Sequence, residues 1–353
     1  MSERNLILHL KRMICVGAAV MGVAATASVA SASAAITEAG SSLVYPLVYH
    51  WSTVYTSTKV SAAAGGSSAG IADISASSPS VNIGASDAPM TSSQYSADSH
   101  NAVEIPWALS ATDVVYNIPG IHAGLHLTAT IVAEIYTGKI KSWASSAILK
   151  LNKADTKALK RAPKITPVFR SDGSGDSFVI QNFLFRGAPK AWTITPTTSF
   201  PGQVGQGENG NYGVAGEVAK NAGAVGYVSA YYALSQHGIY AASLQNAAGN
   251  FEQATGPTIE EAAKSNSTIP TQGSAFTSAG GVEIQYPSKK YKTAYPISTY
   301  TYAIVNKGES SISGLQSFLS WAVTTGQKYG AQLKFYPLPS GIVSQDQNLI
   351  NGL

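Results

Sequence analysis

The chain has 353 residues, enough for two lobes of ordinary domain size, and 44% hydrophobic against 12% charged residues make it globular rather than disordered. Thirty-three glycines and 16 prolines follow no triplet period, which excludes a collagen-like chain. Twenty-three basic residues against 19 acidic give +4, too weak an imbalance for a general nucleic-acid footprint, and no stripe of alternating arginine and aromatics supplies one.

Arg4, Lys11 and Arg12 precede an apolar, small-residue run from Met13 to Ala32 that closes on Ala30-Ser31-Ala32 and Ala32-Ser33-Ala34. That pattern predicts a secretory signal peptide over residues 1–34 and a mature chain from about Ala35, with an uncleaved signal anchor as the alternative. The protein is therefore expected to be periplasmic or extracellular. The single cysteine, Cys15, stands near the start of the apolar run, where a lipid-bearing cysteine would not. The mature chain then has no disulfide, no thiolate nucleophile and no zinc–thiolate site, and its net charge falls to +2.

From Ile36 to about Asn117, strand-like runs at 59–63, 81–84 and 113–116 alternate with helical patterns, the signature of an α/β fold. Val44, Leu47, Val48, Trp51, Val54 and Tyr55 recur at helical spacing behind a Gly-Ser-Ser turn, with Pro46 in the first turn. After Pro119-Gly120 the alternation resumes with a helix over Thr128–Tyr136, a strand over Ile165–Phe169 and a helix over Phe178–Phe185. A strand at Ser298–Val305 and an amphipathic helix carrying Leu315, Phe318, Leu319, Trp321 and Ala322 follow, and stretches 200–212 and 243–256 read as Gly-, Gln- and Asn-rich loops. Nine basic residues from Lys139 to Arg170 face one acidic residue, Asp155. They form either a solvated helical face or a positive field near an anion site.

Three turns carry the chemistry: Gly40-Ser41-Ser42-Leu43, Gly66-Ser67-Ser68-Ala69-Gly70 and Gly173-Ser174-Gly175-Asp176-Ser177, each between a strand-like and a helix-like run. A helix N-terminus offers unpaired N–H groups and partial positive charge, and a serine there adds a hydroxyl, so three such turns point to a tetrahedral oxyanion. Arg170 adds a planar fork for two oxygens, and Asp172 is placed to orient it. Asp87 sits well beside an anion only if that anion brings a proton, as phosphate does and sulfate does not. The alternative is that Asp87 caps a helix starting near Ala88.

These residues, with Tyr116-Asn117-Ile118-Pro119-Gly120, Gly138-Lys139-Ile140-Lys141-Ser142-Trp143, Gly223-Ala224-Val225-Gly226-Tyr227 and Ala294-Tyr295-Pro296-Ile297, resemble the substrate-binding protein of the bacterial high-affinity phosphate ABC transporter, the PstS family, along nearly the whole mature chain. The resemblance implies a two-lobed periplasmic-binding-protein fold of type II with the ligand in the cleft. Lobe I would comprise 35–117 plus 297–353, and lobe II 118–296. It also implies that a monomer binds inorganic phosphate and delivers it to ABC transporter permease subunits at the membrane, with no cofactor, metal or nucleic acid. The family pattern assigns ligand contacts to Ser42, the Leu43 N–H, Ser67 and Asp87 from the first lobe, and to Arg170, Ser174, the Gly175 N–H and position Asp176 from the second, with Asp172 orienting the arginine. Asp176 departs from the threonine that many members carry, and its carboxylate either points into the cleft or turns to solvent to cap the following helix.

An enzyme is the rival class. Asp172 and Asp176 stand where a nucleophile elbow needs glycine, and the five mature histidines pair with no nucleophile or metal-binding motif. A calcium loop opening at Asp172 fails at Ser177 and Phe183, where glycine and glutamate are required. Two other readings stay open: a binding protein for a different oxyanion, and a surface scaffold that retains the fold.

Overall fold

The computed structural model describes residues 35–266, 283–308 and 314–353. The signal-peptide expectation falls outside them. Strands β1 (Ile36–Gly40), β2 (Val60–Ala64) and β3 (Ile83–Ser86) alternate with helices α1 (Tyr45–Val54) and α2 (Ser67–Ser75), and α3 (Ser92–Ala97) follows. A 15-residue strand, β4 (Ala102–Tyr116), then leads through β5 (His126–Leu127) into α4 (Ala129–Tyr136), α5 (Ser146–Leu151) and α6 (Thr156–Arg161). The next stretch is β6 (Thr166–Arg170), α7 (Gly175–Gly187), β7 (Gln206–Glu208), α8 (Gly210–Lys220), β8 (Ala224–Ser229) and α9 (Ala230–Ser235). Short strands β9 (Tyr240–Ala241), β10 (Ser243–Gln245) and β11 (Phe251–Glu252) precede α10 (Gly256–Ala263), and β12 (Ser298–Asn306), α11 (Leu315–Ala322) and α12 (Ser340–Asn351) complete the chain.

Among the described residues the main sheet runs β2-β1-β3-β12-β4-β8-β6-β7, with β9 also on β4. Its two wings are parallel, β2-β1-β3 on one side and β8-β6-β7 on the other. The centre is antiparallel: β4 pairs with β12 through Ala102–Ala111, then with β8 through Thr112–Tyr116. One strand therefore serves both wings and changes partner between Ala111 and Thr112. All fifteen of its residues are buried, so it lacks the alternation that marks a half-exposed strand, and only 113–116 are legible as strand in the sequence.

Aromatic residues hold each wing's helices down. Trp51, whose indole donates to the Gly326 carbonyl at 2.9 Å, packs edge-on against Trp107, with ring centroids 5.6 Å apart. In the other wing the Tyr136 hydroxyl donates to the Val168 carbonyl at 3.0 Å, and Phe200 lies 5.2 Å from Tyr227. Each such ring buries a large apolar area while its polar atom keeps a partner. The expected loops at 200–212 and 243–256 contain β7, β10 and β11, because pairing to β6 and β5 supplies ladder bonds that their local composition does not favour.

Candidate functional site

In an open parallel sheet, loops leaving the carboxyl ends of the strands line a common crevice. Here Ser41 and Ser42 follow β1, Ser67 follows β2, Asp87 follows β3, Arg170 ends β6 and Asn211 lies just past β7. The two wings present these ends to each other. Ser68 donates its backbone N–H to the Gly173 carbonyl at 3.0 Å, and its hydroxyl lies 2.9 Å from that of Thr198. The Gly175 N–H, at the start of α7, donates to Ser67 Oγ at 3.0 Å. Both turns need glycine for the approach. Gly66 enters α2 at φ +91, and a Cβ on Gly175 would stand 2.5 Å from Asp87 and from Ser67 Oγ.

Asp87 is buried and collects hydroxyls. Ser41 Oγ lies 2.6 Å from both carboxylate oxygens, Ser67 Oγ donates to Oδ2 at 3.3 Å, and the Asp87 N–H donates back to Ser67 Oγ at 3.1 Å. The helix-cap alternative for Asp87 fails: the next helix starts at Ser92 and is capped by Thr91, which closes a capping box with Gln94. Burial raises the Asp87 pKa, and the nearby charge of Asp176 raises it further.

Arg170, 1% exposed, is held on two sides. Its Nε donates to Asp172 Oδ1 at 2.7 Å and Nη2 to Asp172 Oδ2, the bidentate arrangement expected for an orienting carboxylate. Its Nη1 donates to Asp176 Oδ2 at 3.2 Å. Burial opposes ionisation of Asp172, yet the hydrogen bonds and charge of Arg170, with the Gly210 N–H, hold its pKa below the usual carboxylate value. The same partners outweigh burial at Arg170 and keep the guanidinium charged.

Of the two orientations open to Asp176, the side chain takes the buried one, with 0% exposure, and does not cap α7 from solvent. Besides Arg170 it accepts from Thr112 Oγ1 and from Asn211 Nδ2, each at 2.6 Å. Burial raises its pKa, opposed by Arg170 and by these two donors. Glu38, buried on β1, is raised well above the carboxylate range by burial and then by the charge of Asp87. Arg170 is therefore paired with Asp172 on one side and with Asp176 on the other, while burial biases Asp87, Asp176 and Glu38 toward their neutral forms. An entering anion then meets far less repulsion than the count of acidic residues implies.

Ser42, Leu43, Ser67, Asp87, Arg170, Ser174, Gly175 and Asp176 are thus all buried around the facing strand ends, with Asp172 behind the arginine. Two of the N–H groups meet serine hydroxyls: Leu43 donates to Ser41 Oγ at 3.0 Å, and Gly175 to Ser67 Oγ. Ser174 Oγ caps α7 by accepting from the Ser177 N–H at 3.4 Å. Thr112 and Asn211 are not singled out by the sequence, and Ser41 and Tyr227 stand in its motifs without an assigned contact. Asn211 bridges the wings, donating to Ser42 Oγ at 3.0 Å as well as to Asp176, while its carbonyl accepts from the Ser229 N–H at 2.8 Å. Tyr227 accepts from the Arg170 N–H at 3.1 Å, and its hydroxyl is hydrogen-bonded to that of Ser177 at 2.6 Å. Ser41 stood in the first Gly-Ser turn, but nothing local marks Thr112 or Asn211.

The basic run leads away from this cluster. Lys164 precedes Arg170 by six residues of mostly extended chain, about 20 Å, more than two Debye lengths at physiological salt. Lys164 therefore adds little field at Arg170.

A family model described as a PBP superfamily domain matches residues 25–325. The chain is 32% identical to the phosphate-binding protein PstS of Pasteurella multocida over 321 residues, covering 88% of each chain. It is also 32% identical to the phosphate-binding protein PstS of Xylella fastidiosa, covering 89% of this chain and 84% of that one. Among solved structures, a periplasmic phosphate-binding protein (PfluDING) bound with phosphate at pH 8.5 superposes with a TM-score of 0.69 at 18% identity, over 89% of this chain and 93% of that one. At that identity the likeness shows the fold.

Proposed function

The chain belongs to the PBP superfamily and, within it, to the PstS phosphate-binding proteins, and from that premise we propose that it binds inorganic phosphate and hands it to the membrane permease of an ABC transporter. The observation that carries the reading is Arg170: a buried guanidinium, aligned by Asp172, lies near enough to Asp87 of the opposite wing to act on its charge, beside the turn where the Gly175 N–H meets Ser67. A charge-assisted donor buried among neutral hydroxyls suits a small tetrahedral oxyanion, and Asp87 suits one that carries a proton.

On this reading lobe I comprises 35–117 with 297–353 and lobe II comprises 118–296, the two swinging about the strands that join them. The partner switch between Ala111 and Thr112 in β4 supports a hinge close to those boundaries. Ser42, the Leu43 N–H, Ser67 and Asp87 contact the anion from one lobe, and Arg170, Ser174 and the Gly175 N–H from the other. Position Asp176 belongs to the same contact set, and its carboxylate also accepts from Arg170 Nη1, Thr112 and Asn211. The role is binding and delivery rather than catalysis, by a monomer exported through residues 1–34. Calorimetric titration with phosphate, arsenate and sulfate tests it. Nanomolar to micromolar phosphate affinity with sulfate excluded is expected, and no phosphate binding by the folded protein would refute it.

A further inference from the structure

Between Lys139 and Lys164 stand eight cations and one acidic residue, Asp155, whereas the remainder of residues 35–353 carries a net −5. All eight cations are exposed. Of these eight, only Lys139 has an acidic partner among the described residues, Glu134; Lys141, Lys150, Lys153, Lys157, Lys160, Arg161 and Lys164 form no ion pair there.

The segment is fixed to the body of the protein, so the charges have a set direction. Ile148 and Leu159 are fully buried, and Trp143 is buried with its indole donating to the Gly223 carbonyl at 3.0 Å. Asn152 locks the turn between α5 and α6, donating to the His126 carbonyl at 3.0 Å and accepting from the His126 N–H at 2.8 Å. Lys157 and Arg161 lie one turn apart on α6 and, with Asp155 as the one acidic residue, border an open depression of about 450 Å³ that Pro119, Gly120 and Ala158 also line. That depression has the scale of a lipid headgroup. The exposed large apolar side chains of the described residues, Phe185, Tyr212 and Leu234, lie outside the segment, so contact here is by charge without insertion.

We propose that this basic face is a docking surface for anionic phospholipid headgroups, with one phosphodiester seated between Lys157 and Arg161. Lys164, the last cation of the face, stands about 20 Å before Arg170 along β6, more than two Debye lengths, so it takes no part in holding the cargo. The charge of the face is concentrated in one stretch of a chain that is otherwise net acidic, which favours turning that stretch toward a negative surface. Basic residues near such a surface each strengthen adhesion about fivefold. The result is a weak, salt-sensitive hold at the membrane that serves a protein delivering cargo to a permease without tethering it permanently.

The test is co-sedimentation of the mature chain with vesicles of phosphatidylcholine alone or with 30 mol% phosphatidylglycerol. Three chains are compared: parent, a Lys157→Ala/Arg161→Ala/Lys164→Ala variant, and a Lys289→Ala/Lys290→Ala/Lys292→Ala control of equal net charge. The parent should bind only the anionic vesicles and release at high salt. The first variant should bind them on the order of a hundredfold more weakly while keeping the parent's melting temperature, and the control should lose little. Equal binding to both vesicle types, equal losses in the two variants, or capture of a soluble polyanion without vesicle binding would each overturn the assignment.

Discussion

Gly175→Ala probes the contact between the wings with a single methyl group. The added Cβ would stand 2.5 Å from the Asp87 side chain and from Ser67 Oγ. Neither neighbour can step back freely: Asp87 is held by Ser41 at 2.6 Å, and Ser67 is tied to both Asp87 and Gly175. Ordinary contact distance requires the wings to part by about an ångström, which lengthens the 3.0 Å bond from the Gly175 N–H beyond use. Overpacking of this kind costs about 1–3 kcal/mol and the lost hydrogen bond about 1 kcal/mol. Phosphate affinity should therefore fall about 30- to 1,000-fold. Helix α7 itself should not suffer, since Gly175 opens it at negative φ, where alanine is a good substitute. The assay is calorimetric titration beside thermal unfolding, with Gly216→Ala as control, because a Cβ at Gly216 meets nothing within 4 Å. If Gly175→Ala melts cooperatively and binds phosphate within threefold of the parent, the wings do not close on the ligand as described.

Arg170→Ala removes the only guanidinium of the cluster and strands two carboxyls, so affinity should drop by about 2–5 kcal/mol, against about 1–3 for Asn211→Ala, which loses neutral hydrogen bonds; equal losses by titration would count against the arginine. Asp87 repels a fully ionised anion only when it is itself ionised, and burial raises its pKa. Sulfate exclusion by the parent should therefore tighten as pH rises, whereas Asp87→Asn should admit sulfate equally at all pH values; competition titrations between about pH 5 and 9 check this. Among the described residues Asp346 is buried without a hydrogen-bond partner for either oxygen, and its pKa is pushed up to about 8 by burial. The folded state then binds a proton that the unfolded chain has shed above about pH 4, so stability falls by up to about 1.4 kcal/mol per pH unit as pH climbs toward 8. Asp346→Asn should flatten that part of the melting-temperature profile, and an unchanged slope would show that the carboxyl is solvated.

The sequence by itself determined the local devices. Gly-Ser turns at 40–43, 66–70 and 173–177 are legible because cap chemistry and strand-to-helix transitions are written in neighbouring residues, and Arg170 with Asp172 is a pair two positions apart. The α/β alternation followed from periodicity in the same way. Only the tertiary structure decided what Asp176 touches, since Thr112 and Asn211 lie 64 and 35 positions away and are brought to it by the partner switch in β4 and by the start of α8. It also decided that Asp87 takes the hydroxyls of Ser41 and Ser67, 46 and 20 positions distant, instead of capping a helix. The raised pKa values of Asp87, Asp176 and Glu38 come from exclusion of water around them, a property of packing from both wings that no spacing rule encodes. The basic run shows the same division. Its charge is plain in the sequence, but that Lys164 joins the end of β6 remote from Arg170 follows only from the extent of that strand.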